Sequence, residues 1–108
     1  MGGLEAVAPL YELRHYVPAE GRSDALRKRF EDVTFGLFER HGFDVMEFWI
    51  EPRSGDFWYL LRWSDDDARK AAWKAFLEDE EWRAAFAASE RDGPLAASIQ
   101  SIRLEKWP

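Results

Sequence analysis

A β-hairpin is predicted at residues 44–63, DVMEFWIEPRSGDFWYLLRW, and this stretch decides the fold of the chain. Side chains in residues 44–51 alternate between two faces, a pattern typical of a strand with one buried side. Residues 52–56 combine Pro, Ser, Gly and Asp, which favours a turn. Residues 57–63 are rich in aromatic and aliphatic side chains and are the predicted partner strand.

A helix is predicted on each side of this hairpin. Ser23 is a suitable N-cap for the first helix, and Gly42 is placed to end it in the left-handed conformation. An apolar stripe at helical spacing lies between them: Leu26, Phe30, Val33 and Leu37. Ser64 is the predicted cap of the second helix, whose first turn is acidic. A new helical turn opens near Asp79, so the second helix is expected to be broken in two.

Two further strands are predicted, at residues 10–16 and 97–104. The order β-α-β-β-α-β describes a ferredoxin-like α+β sandwich, in which helices cover one face of an antiparallel sheet. The other face would be bare in a monomer, so we expect two sheets to pair into a dimeric α+β barrel. Residues 1–9 are expected to be a flexible tail, and residues 10–108 the single domain.

Composition limits the classes of function. Acidic residues outnumber basic residues by 21 to 15 and no basic stripe is present, so neither nucleic acid nor an anionic membrane is an expected partner. The chain has no Cys and only two His at unrelated positions, so we expect no metal. It has no Gly-rich phosphate loop, so we expect no cofactor. Without a bilayer-spanning run or a signal peptide, the expected location is the cytoplasm.

Aromatic side chains are unusually abundant, with six Trp, eight Phe and three Tyr in 108 residues. That number exceeds what one small core needs, and large rings favour interfaces and ligand pockets. The sequence therefore predicts a second buried surface, either between two copies of the chain or around a small, largely apolar organic molecule.

Candidate site residues begin on the first strand. If Tyr11 and Leu13 pack under the helices, then Glu12, Arg14 and Tyr16 share the open face. Arg14 is then a candidate clamp for a carboxylate or an enolate, with Tyr16 as proton donor. The alternative is that Glu12 and Arg14 form a structural ion pair across the floor of the dimer.

The hairpin supplies further candidates. Glu51 is a candidate general base if neighbouring Trp rings raise its pKa by desolvation, and a solvated strand-end residue otherwise. The face of residues 57–63 that lines a pocket is left open. One choice is Trp58, Leu60 and Arg62, and the other is Phe57, Tyr59, Leu61 and Trp63.

His41 is the remaining titratable candidate, because it falls in the last turn of the first helix. It either binds the terminal carbonyls of that helix or moves a proton in a pocket. The candidate catalytic residues are Tyr16, His41 and Glu51. We expect a pocket between sheet and helices, and the candidate ligand-binding residues are Arg14, Tyr16, Trp49, Tyr59, Trp63, Phe76 and Trp82.

The order of several short motifs adds a family resemblance. They are Tyr11-Glu12-Leu13-Arg14, Tyr16, Arg40-His41-Gly42, Phe48-Trp49, Tyr59-Leu60, Trp63, Ala75-Phe76, Glu81-Trp82, Ser89-Glu90 and Gly93-Pro94-Leu95. Over residues 10–104 the chain resembles the NIPSNAP family of the dimeric α+β barrels. The resemblance implies the barrel fold and a pocket. It also supports His41 as a candidate site residue, because Arg40-His41-Gly42 matches a motif of that family.

Three functions are compatible with this resemblance. The first is a NIPSNAP-like protein that binds a small apolar or aromatic molecule in a barrel pocket, in bacterial-type small-molecule metabolism. The second is a cofactor-free monooxygenase or a cyclase or isomerase of the antibiotic-biosynthesis-monooxygenase type. The third is a non-catalytic protein-interaction module, which a pocket fully filled by side chains would favour. Fold alone does not decide among them.

Overall fold

Four antiparallel strands form one sheet in the computed structural model of the chain, which describes residues 8–107. The strands are β1 (Leu10–Pro18), β2 (Asp44–Ile50), β3 (Phe57–Trp63) and β4 (Ala96–Leu104). Their spatial order is β2-β3-β1-β4, so the predicted ferredoxin-like arrangement is confirmed. Residues 1–7 of the predicted tail lie outside the described residues.

Helices cover one face of this sheet. The first is continuous but changes its pitch: α1 (Ser23–Arg29), a π-helical segment (Phe30–Thr34) and α2 (Phe35–Arg40). The second is broken, as predicted, into α3 (Asp66–Glu78) and α4 (Glu80–Ser89). The break is at Asp79, whose backbone is extended and whose carboxylate accepts a hydrogen bond from the backbone N–H of Glu81, the first turn of α4. Gly42 has a φ of 73°, which ends α2 as expected.

The π-helical segment contributes two buried side chains, Phe30 and Thr34, to the inner face of the first helix. Val33, which the sequence places in the apolar stripe, is only partly buried. Arg29, immediately before the segment, is also buried. A charged side chain therefore lies in the interior beside the apolar stripe.

The two faces of the sheet follow from strand register. In β1, Glu12 pairs with Leu61, Arg14 with Tyr59 and Tyr16 with Phe57, and these residues lie under the helices. The predicted orientation of β1 is therefore wrong, because Tyr11, Leu13 and His15 lie on the open face instead. The open choice in β3 is also resolved: Phe57, Tyr59, Leu61 and Trp63 are buried under the helices.

Strand β2 follows the predicted alternation only in part. Its register against β3 shifts between Val45 and Glu47, so Val45 shares the helix-covered face with Phe48. Trp49 pairs with Trp58 on the open face and is 49% exposed. In the described residues, no helix is long and apolar enough to cross a membrane.

Candidate functional site

A pocket of about 500 Å³ lies between the sheet and the helices, and we refer to it as the central pocket. β1 contributes Arg14 and Tyr16 to its lining. Rings from the helices form most of the remaining wall, chiefly Phe30, Phe38, Trp73, Phe76, Trp82 and Phe86. The volume and the apolar lining are typical of small-molecule sites.

A polar cluster occupies the β1 side of the central pocket. Arg14 Nη2 donates to the hydroxyl of Tyr16 at 2.9 Å, and Arg14 Nε donates to the hydroxyl of Tyr59 at 3.3 Å. The two phenol oxygens are 3.1 Å apart. The guanidinium also lies 4.4 Å from the ring centroid of Trp73, within cation–π range. Arg14 is thus fixed in place by three aromatic or phenolic contacts, from β1, β3 and α3.

Glu12 supports this cluster from behind. Its side chain is fully buried, and Oε1 accepts from the indole N–H groups of Trp63 at 3.0 Å and Trp73 at 2.9 Å. Oε2 accepts from Ser101 at 2.6 Å and lies 3.5 Å from Arg14 Nη1. A buried carboxylate is stable only when its lone pairs are satisfied, and here every oxygen has partners. These partners explain why a charged residue takes an interior position.

The charge states of the cluster follow from burial and contacts. Burial lowers the pKa of Arg14, but the phenol oxygens of Tyr59 and Tyr16 raise it more, so the pKa lies above its ordinary value. Arg14 is therefore a cation at neutral pH. Burial, with Tyr16 nearby, raises the pKa of Tyr59 well above its ordinary value, so Tyr59 is a neutral phenol.

A second charged group lines the opposite, helical side of the central pocket. Arg29 Nη1 donates to Glu90 at 2.8 Å and to the Ser89 hydroxyl at 3.0 Å, which joins α1 to the end of α4. The guanidinium lies 5.0 Å from the Trp82 ring centroid and 5.3 Å from that of Phe86. Within the described residues, Arg29 Nε has no hydrogen-bond partner. Its charge is balanced by Glu90.

The structure brings together some of the predicted ligand-binding residues. Arg14, Tyr16, Phe76 and Trp82 line the central pocket, and Tyr59 lies behind Arg14, to which its hydroxyl is hydrogen-bonded. Trp63 is buried beside Glu12 and does not line this pocket. Trp49 lies in a separate shallow groove of about 330 Å³.

Glu51 is not the desolvated carboxylate that the sequence suggested. It follows β2 in the hairpin turn, where it accepts hydrogen bonds from the backbone N–H groups of Ser54 and Arg53 and from the Arg53 side chain. These bonds lower the pKa of Glu51. Glu51 therefore stabilises the turn, which agrees with the alternative of a solvated strand-end residue and not with a general base between Trp rings.

His41 ends α2 and lies outside the central pocket. Its Nε2 is 2.8 Å from Asp79, the residue that separates α3 from α4. A carboxylate is only an acceptor, so Nε2 donates. This hydrogen bond, with those from Glu81 N–H and Arg40, lowers the pKa of Asp79 to about 2. The contact favours the structural alternative for His41, which ties the first helix to the start of α4.

Trp73 and Arg29 are among the pocket residues that sequence reasoning missed. Trp73 precedes Phe76 by three positions on α3, so the helical spacing was a usable signal. Arg29 lies three positions after Leu26, near the inner face, but its ion-pair partner Glu90 is distant in sequence and gave no local signal. No group of His, Cys, Asp and Glu suited to a metal ion occurs within residues 8–107.

This fold and site define a ferredoxin-like α+β domain with a ring-lined pocket on its helix-covered side. The NIPSNAP family profile matches residues 11–107, nearly the whole chain, and the chain belongs to the NIPSNAP family. Among curated proteins, none matches the chain closely enough to show a relationship.

Solved structures share the fold at low sequence identity. A NIPSNAP family protein from Agrobacterium tumefaciens is 17% identical, with a TM-score of 0.79 over 94% of this chain and 91% of the other. A NIPSNAP domain protein from Burkholderia xenovorans is 18% identical, with a TM-score of 0.73 over 88% and 91%. SnoaB, a cofactor-independent oxygenase from Streptomyces nogalater, is 16% identical, with a TM-score of 0.62 over 90% and 91%.

Proposed function

We propose that this NIPSNAP family protein binds a small, largely apolar or aromatic organic molecule in the central pocket. The observation that carries the proposal is the pairing of a ring-lined volume of about 500 Å³ with one fixed cationic cluster, Arg14 and Tyr16. Pockets of this size that combine apolar walls with a few convergent polar groups bury most of a drug-sized ligand. The walls supply affinity and the cluster orients the molecule.

Binding of a neutral fluorescent probe tests this proposal. N-phenyl-1-naphthylamine should bind the wild-type protein with increased emission. Trp82→Ala removes a wall ring and should raise the Kd roughly 2–10-fold, as expected for one aromatic contact. Trp107→Ala is the matched control, since Trp107 is 95% exposed and lies outside the central pocket, and it should leave the Kd unchanged. Equal losses in both variants, or no binding to wild type, would contradict the proposal.

A cofactor-free oxygenase, cyclase or isomerase is the second candidate function. Its support is the position of Tyr16, the only one of the three candidate catalytic residues that lines the central pocket. Arg14 beside it would stabilise negative charge on a substrate oxygen. Conversion of a bound hydroxynaphthalene, followed by chromatography under air and under nitrogen, tests this function. Oxygen-dependent product that disappears in Tyr16→Phe supports it.

A homodimer formed through the open sheet face is part of the proposal. Leu13 pairs with Leu60 on one side and Ile102 on the other, so an apolar row crosses the centre of this face. A second copy presents the same row and would cover it. Light scattering at micromolar concentration should give twice the chain mass. Leu13→Glu should yield monomer, whereas Ala84→Glu on α4 should not; a monomeric wild type would refute this part.

The interaction-module alternative has less support, because the central pocket is not filled by side chains. A cytoplasmic setting in small-molecule metabolism completes the proposal, and it accords with the acidic composition and the absence of Cys. Fractionation of cells that express the native gene would test the location.

A further inference from the structure

The polar cluster holds more hydrogen-bond donors than acceptors. Tyr59 is fully buried, and within the described residues the only acceptor near its hydroxyl proton is Tyr16 Oη, 3.1 Å away. An unmet buried donor is costly, so Tyr59 donates to Tyr16. The proton of Tyr16 then has no acceptor in the part of the chain that the structure describes. Tyr16 lines the central pocket, and its proton is available there.

Arg14 adds further donors at the same place. Three of its five N–H groups are directed at Tyr59, Tyr16 and Glu12, which leaves one on each Nη. Arg14 Nη2 and Tyr16 Oη are 2.9 Å apart, so their free hydrogens are close enough to reach one ligand oxygen. This end of the central pocket therefore offers donors and no free acceptor.

The other charged groups around the central pocket are also mainly cationic. Its lining includes Arg14, Arg29 and Arg83 but only one carboxylate, Glu90, which is paired with Arg29. Glu12 lies behind Arg14, and its oxygens are shared with two indoles and a hydroxyl. Arg14 and Arg29 are therefore each paired with a carboxylate, the exposed Arg83 lies near Glu78, and the free donors of Arg14 and Tyr16 are what favour an anion at this end of the pocket. A low-dielectric site of this kind stabilises a negative oxygen.

We infer that the polar end of the bound aromatic molecule is a single oxygen held as its anion, the phenolate or enolate form of a hydroxylated ring system. This inference rests on the proposed function and specifies its ligand class. A neutral hydroxyl fits less well, because it accepts weaker hydrogen bonds from Arg14 and Tyr16 than an anionic oxygen does and its own proton finds no acceptor at this end of the pocket. An anionic oxygen accepts from both.

The bound pKa of a coloured naphthol tests the inference. We use 4-nitro-1-naphthol, whose anion absorbs visible light, and its methyl ether, which is a shape control without an ionisable proton. Titration of the saturated complex should give a naphthol pKa at least about one unit below that of the free compound. Tyr16→Phe should return the bound pKa toward that of the free compound by about one unit, and the Kd of the ether measures the effect of the same change on binding alone. Tyr11→Phe, a matched change on the open face, should alter neither value.

Three outcomes would overturn the inference. One is an unshifted or raised pKa in the wild-type complex, which needs no variant to be measured. Another is a lowered pKa that persists unchanged in Tyr16→Phe. The third is displacement of the naphthol by 2-naphthoate with at least about 10-fold tighter binding, which would assign the site to carboxylates. Binding of the ether without a naphtholate preference contradicts only this inference, whereas failure of both compounds to bind contradicts the proposed function itself.

Discussion

Replacing Glu12 by Gln should strongly destabilise the protein although the two side chains have nearly the same shape. The carboxylate accepts from Trp63 and Trp73 through Oε1 and from Ser101 through Oε2, beside Arg14. An amide has one oxygen acceptor and two donor hydrogens. In either orientation, its NH₂ group meets donors that previously faced an oxygen.

The magnitude follows from the less costly of the two orientations. With the amide oxygen toward the indoles, both indole bonds survive and the Ser101 hydroxyl rotates to accept. The amide NH₂ then faces the Arg14 cation, which loses its neighbouring negative charge. Leaving a buried polar partner unmet costs about 1–3 kcal/mol, and loss of a partly buried charge partner adds to this. We expect a total of about 2–4 kcal/mol, or roughly 10–25 °C in Tm for a domain of this size.

Urea and thermal unfolding of Glu12→Gln, followed by far-UV circular dichroism at one fixed protein concentration, measure this loss. Fixed concentration matters because dimerisation would contribute to apparent stability. Glu47→Gln is the matched control, since Glu47 is exposed on the edge strand β2, and its Tm should change by about 2 °C or less. A loss below about 1 kcal/mol in Glu12→Gln would refute the assignment of Glu12 as the charged acceptor that stabilises the cluster.

Three further predictions concern positions outside the central pocket. His41→Ala should lower Tm by a few degrees, because the hydrogen bond to Asp79 is lost. The Kd for N-phenyl-1-naphthylamine should not change. Weakened binding at an unchanged Tm would contradict this prediction. The folded pKa of Asp79, about 2, lies below its ordinary 3.8, so its contacts stabilise the fold above about pH 4 and are lost as pH falls through 2. Asp79→Asn should therefore flatten the urea-measured stability between pH 4 and 2, and an unchanged slope would contradict this. Gly55→Ala should lower the free energy of unfolding in urea by about 1–3 kcal/mol, because φ is +80° and the new Cβ would lie 2.7 Å from Ser23 Cβ. Gly36→Ala, within a helix, should raise the free energy of unfolding by about 0.5–1 kcal/mol. Equal effects of the two changes would contradict this prediction.

Local sequence patterns predict the elements of this fold well. The strand at residues 57–63 is observed with the same bounds, and the last strand differs by one residue. The break between α3 and α4 was visible at Asp79, because an Asp followed by two Glu is a helix start. These features depend on residues close together in the chain, so a single sequence contains the information that determines them.

The faces of β1 could not be deduced in the same way. Alternation separates Glu12, Arg14 and Tyr16 from Tyr11 and Leu13, but it does not say which set is covered. That choice depends on Trp73, on the distant α3, which supplies both the indole donor for Glu12 and the ring beneath Arg14. The sequence rule that charged residues face outward fails where distant partners satisfy every buried charge.

The same contacts that stabilise the interior also prepare the site to bind. Glu12 and Tyr59 hold Arg14 from two directions, so its remaining donors are aimed before any ligand arrives. Donors fixed in this way need little reorganisation when a negative oxygen binds, and this makes them effective at stabilising it. It follows that changes at Glu12 should reduce stability and naphtholate preference together, whereas changes at Trp82 should reduce affinity and leave the naphtholate preference unchanged. Stability and naphtholate preference are therefore coupled at the sheet side of the central pocket and can be changed separately at its helical side.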